Sequence, residues 1–101
     1  MFSGGSYEEV GRWLWNFLTS HAKRENPRAE VLVDSGDERE GRSYGVRLRL
    51  GRHIGPVIEF DYREVAEYRG NLAWCRALAE ETRSQVRQLT GPPGIPVGGS
   101  E

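Results

Sequence analysis

His21, His53 and Cys75 are the side chains of this 101-residue chain best suited to metal or nucleophilic chemistry. A structural zinc site takes its ligands in closely spaced pairs, and no short spacing joins any two of these three. Cys75 falls at a core position of a heptad seam, where a thiol with no base beside it behaves as a small hydrophobe. The chain contains no Gly-x-Ser-x-Gly elbow. Gly51-Arg52-His53-Ile54-Gly55 gathers two glycines and two potential cations, enough for an anion contact by Arg52 and His53. It lies between two strands and lacks the Lys-Ser/Thr ending of a phosphate loop, so the simpler reading is a hairpin turn. Glu80 and Glu81 are adjacent on a helix and point apart. Asp37, Glu38 and Glu40 sit in a solvated loop. Neither group has the burial that raises a carboxyl pKa for acid–base work. The expectation is therefore no catalytic residue, no cofactor, no metal and no enzymatic activity.

The patterned charge lies in Tyr44-Gly45-Val46-Arg47-Leu48-Arg49-Leu50, where apolar residues alternate with glycine and arginine. A period of two means a strand with one apolar face and one arginine face. Arg42, Arg47, Arg49 and Arg52 are expected on the open side of a sheet. There Glu59, with Glu30 or Asp34, would neutralise them through cross-strand pairs. A docking surface for an acidic partner is the sharper reading. Few aromatic residues interleave these arginines, so base stacking is not supported. Trp15 lies off the apolar stripe of its helix, and Trp74 lies at the edge of another. Tryptophan is enriched at interfaces, which makes both candidates for an interaction surface.

Around these residues the elements follow from local signals. Ser6-Tyr7-Glu8-Glu9 is a capping box with two carboxylates suited to the helix dipole. Val10, Trp13, Leu14, Phe17, Leu18 and His21 continue it as one stripe, and Asn26-Pro27 ends the helix. Residues 29–34 form a strand, and residues 35–41 a charged turn between glycines. The arginine strand spans about 42–50, and a third strand covers Pro56 to Phe60. Ile58 and Phe60 face the core, and Glu59 points outward beside Arg47 or Arg49. Asp61-Tyr62-Arg63-Glu64 is a second capping box. From there Val65, Tyr68, Leu72, Cys75, Ala79, Thr82, Val86 and Leu89 step three and four residues apart, a heptad seam. Gly70-Asn71 interrupts it, so either one helix or two would fit. Gly91-Pro92-Pro93 ends it. The predicted fold is α+β in the order α-β-β-β-α. A three-stranded antiparallel sheet carries both helices on its one apolar face.

The totals set limits. One hundred and one residues make one domain, spanning 6–90, with a flexible start over 1–5 and a disordered Gly/Pro-rich tail over 91–101. The net charge is −1, and no segment is strongly basic, whereas nucleic-acid binders draw most of their affinity from basic faces. Thirteen of the 14 basic residues are arginine, as a GC-rich genome, such as a bacterial one, would give. No apolar run is long enough for a membrane span, and no signal peptide is evident. A single cysteine cannot close an intramolecular disulfide and suits the reducing cytoplasm.

The α-β-β-β-α order over residues 6–89 resembles the double-stranded-RNA-binding domain. That family has a basic start to its second helix and a histidine-bearing loop between its first two strands. Here those places hold Asp61-Tyr62-Arg63-Glu64-Val65-Ala66-Glu67 and the acidic Asp37-Glu38-Arg39-Glu40, so the groups that would touch RNA are missing. The reading best supported is a small non-enzymatic protein-interaction domain, an adaptor or a homodimer. The alternative is nucleic-acid binding through the arginine face.

Overall fold

Ser6 accepts the Glu9 amide at 3.1 Å and opens the first helix, α1 (Tyr7–Glu25), in the computed structural model, which describes residues 5–90. Strand β1 (Glu30–Asp34) follows, then a single 3-10 turn over Asp37–Arg39, then the long strand β2 (Ser43–Leu50). Two short strands come next, β3 (His53–Ile54) and β4 (Ile58–Asp61), and finally α2 (Tyr62–Tyr68) and α3 (Leu72–Thr90). Strand β2 is central, with β1 antiparallel on one side and β3 and β4 in succession on the other.

The fold is α+β, as the sequence predicts, with its helices on one face of the antiparallel sheet. The apolar face of β2 supplies Tyr44, Val46 and Leu48, all buried against Val10, Leu14, Leu18 and Ala22 of α1 and Val86 of α3. Two details of the sheet differ from expectation. The third strand is split, because three residues (55–57) separate the pairs Ile54↔Arg49 and Ile58↔Val46 where β2 has only two between them. That extra residue is a β-bulge. It reverses the side-chain alternation, so Ile54 pairs on the arginine side while Ile58 pairs with buried Val46. The hairpin turn is correspondingly shorter than expected. Only Gly51 and Arg52 lie outside the ladder, and Gly51 has the positive φ of 62° that a two-residue turn of this kind needs at its first position.

The heptad seam is two helices. Arg69, Gly70 and Asn71 break it, and Asn71 Oδ1 accepts the Trp74 amide at 2.8 Å to start α3. Thr82 and Val86 are buried as the seam predicts, but Leu72 is 80% exposed and Cys75 only half-buried. Of the residues expected to be flexible, Gly5 is held through its carbonyl by the Tyr62 hydroxyl. Residues 1–4 and the expected tail 91–101 lie outside the described residues.

Candidate functional site

Two surfaces bring the candidate residues together. The first is the open face of the sheet. Register pairs Glu30 with Arg49, Leu32 with Arg47, and Gly45 with both Asp34 and Glu59. Arg49 forms an ion pair with Glu30. Arg47 makes no ion pair among the described residues. Arg42 and Arg52 do not join this face. Arg42 precedes β2, is 81% exposed and approaches Glu40 at 3.7 Å, and Arg52 lies in the exposed turn.

The centre of the face belongs to an arginine that sequence reasoning left in a solvated loop. Arg39 folds back from the 3-10 turn across Gly45. Its Nε reaches Asp34 at 3.2 Å, its Nη1 reaches Glu59 at 2.7 Å, and the same nitrogen donates to Ser43 Oγ at 3.0 Å. Glu59 therefore meets Arg39, not Arg47 or Arg49 as expected. A methyl group on Gly45 would stand 2.2 Å from Arg39 Nη2, so the planar guanidinium lies directly on the backbone. Gly45 was the available signal, since a glycine inside a strand marks close approach. The hydrogen bond from Arg39 holds the Glu59 carboxyl below its ordinary range. The Gly36 amide, with Arg39 second, does the same for Asp34. The face thus carries Arg39, Arg47 and Arg49 against Glu30, Asp34 and Glu59, and this balance leaves no strong field for a polyanion.

The second surface is the helical layer. Tyr68, Trp74, Trp13, Phe17 and His21 form a row of rings drawn from α2, α3 and α1. Successive centroids lie 6.2, 6.5, 5.0 and 4.5 Å apart. Trp74, one of the two tryptophans considered for an interaction surface, is the link between helices. Beside the row runs a groove of about 350 Å³ between α1 and α3, lined by Phe17, His21, Leu72, Cys75 and Ala79, with Arg76, Glu80 and Arg83 along it. His21 and Cys75 share this groove, a juxtaposition that sequence spacing did not indicate. No hydrogen bond joins them. The thiol donates to the Arg69 carbonyl at 3.3 Å, and burial raises its pKa, which opposes thiolate formation. Burial, aided by Arg24 and Arg83, lowers the pKa of His21 and favours its neutral form.

Trp15 stands apart from both surfaces. It is 44% exposed, and its indole N–H donates to the Val31 carbonyl at 2.9 Å. Among the described residues no three His, Cys, Asp or Glu side chains gather as metal ligands, and no helix is long and apolar enough to cross a membrane. Comparison with protein-family models, with curated proteins and with solved structures finds no match for this chain.

Proposed function

We propose that this chain is a small non-enzymatic protein-interaction domain that self-associates through the α1/α3 surface in the reducing cytoplasm. The observation that carries the reading is Leu72, 80% exposed at the mouth of a groove whose floor includes Cys75 and Ala79. Covering a leucine contributes about 2 kcal/mol per copy, and small residues beneath it leave room for a partner's helix. Both charge signs flank the groove, through Arg76 and Arg83 on one hand and Glu80 on the other. A surface of mixed sign can meet its own copy across a two-fold axis without net repulsion. An antiparallel crossing of two α3 helices midway between Cys75 and Arg76 seats each Leu72 on the other copy's Ala79.

Light scattering at micromolar concentration tests this reading. The expected result is a dimer for the wild type, with a melting temperature that rises with protein concentration, and for Leu72→Glu a folded monomer whose melting temperature is lower and independent of concentration. A wild-type protein that remains monomeric overturns the self-association.

A further inference from the structure

We infer that the free edge of β1, with the cleft between it and α1, is a binding site for an extended basic segment of another protein, taken up as an added strand. The backbone sets the geometry. Gly55 N donates to Leu48 O at 2.8 Å, so Leu48 turns its backbone groups toward β3. Its register partner Val31 then turns its own N–H and C=O away from the sheet, as in any non-hydrogen-bonded antiparallel pair. The Trp15 indole confirms that direction by meeting the Val31 carbonyl from outside. Val33, two residues on, has the same orientation, and none of the hydrogen bonds of the described residues caps its outward groups. The outward N–H and C=O of Val33, with the N–H of Val31, are the groups that an incoming strand uses.

A cleft of about 540 Å³ runs along this edge. Tyr7, Gly11 and Trp15 of α1 form one wall and Val31 and Val33 the other, with Glu8 and Arg12 also lining it. Every second side chain of an added strand would enter it. The alternate side chains would lie on the open face beside Glu30, Leu32 and Asp34. The two carboxylates there are 50% and 57% exposed, and their arginine partners reach them from the inner side. A second copy of β1 is a poor occupant. Full antiparallel overlap centred on Leu32 sets Glu30 against Asp34 at both ends, and like charges directly opposite destabilise a pair. Lysine or arginine alternating with β-branched apolar residues satisfies both faces.

This site is separate from the α1/α3 groove, so it is tested on wild type and on Leu72→Glu alike. The probe is a capped heptapeptide alternating lysine and valine, titrated into isotope-labelled protein and followed by NMR. The expected result is shift changes confined to residues 30–35 and the facing residues of α1, with slowed exchange of the Val33 amide. Val33→Pro removes the outward N–H without touching the β1–β2 ladder, a substitution that edge strands tolerate. It should weaken binding up to about tenfold, the loss expected for one hydrogen bond. A peptide N-methylated along its pairing edge should fail on the unsubstituted protein, which covers the case in which Val33→Pro perturbs folding. A glutamate–valine peptide should also fail. The inference is overturned by absence of binding, by shifts mapping to the helical groove, or by equal binding of the methylated or acidic peptide.

Discussion

Arg39 joins the 3-10 turn, the edge strand and β4 through its contacts with Asp34, Ser43 and Glu59, and it does so on the backbone of Gly45. Gly45→Val should expel the guanidinium and release residues 35–41, read as faster amide exchange in that segment while the β1–β2 ladder remains protected. The same cluster gives a pH dependence with a definite sign. Both carboxyls have folded pKa values below their unfolded ones, so the folded state binds fewer protons. Their contribution is complete above the ordinary carboxylate range near pH 4 and is lost as pH falls through the depressed folded values. Denaturant midpoints measured across the acid limb should show that loss, and Arg39→Met should flatten it. The alternation of β2 correctly placed Arg47 and Arg49 on one face. It was silent about Arg39, because a contact from a loop onto a strand leaves no periodic trace. Its one mark is the missing side chain at Gly45.

At the level of elements, the sequence was most legible where a local signal decides. Both N-caps form where the capping boxes placed them, with Ser6 meeting the Glu9 amide and Asp61 the Glu64 amide at 3.0 Å. The heptad seam was misleading because spacing does not say which stretch of a stripe finds a partner. Its later half packs on the sheet, and Leu72 faces outward. Asn71 restarts the helix after Gly70, and Asn71→Ala should cost about 1 kcal/mol, read from the denaturant midpoint. The bulge at residues 55–57 could not be read from alternation, because a strand pattern carries no count of extra residues. Deleting Val57 would leave two residues between Ile54 and Ile58, matching the two that β2 has between Arg49 and Val46, so both pairs keep their register and Ile58 and Phe60 stay on the core face. That variant should still melt cooperatively, and Val57→Ser, at a position 43% exposed, should melt near the wild type.

For the whole molecule, the proposed two-fold crossing brings two copies of Cys75 side by side. Mild oxidation with diamide should therefore yield a disulfide-linked dimer on a non-reducing gel, since a disulfide forms only when the Cα atoms come within about 7 Å. Leu72→Glu should abolish that band while leaving the thiol reactive to alkylation. Neither the groove nor the ring row could be assembled from sequence alone, because each draws on α1 and α3, which are separated by the whole sheet. Three tyrosines also join distant parts of the chain. Tyr7 stacks on Tyr44 at 4.6 Å and donates to the Ser43 carbonyl, Tyr44 donates to the Tyr7 carbonyl at 2.6 Å, and Tyr62 donates to the Gly5 carbonyl. These contacts join residues 36, 37 and 57 positions apart, so the first helix has no complete seat until the chain has been made past Tyr62. On the ribosome the amphipathic stripe of α1 must wait for it.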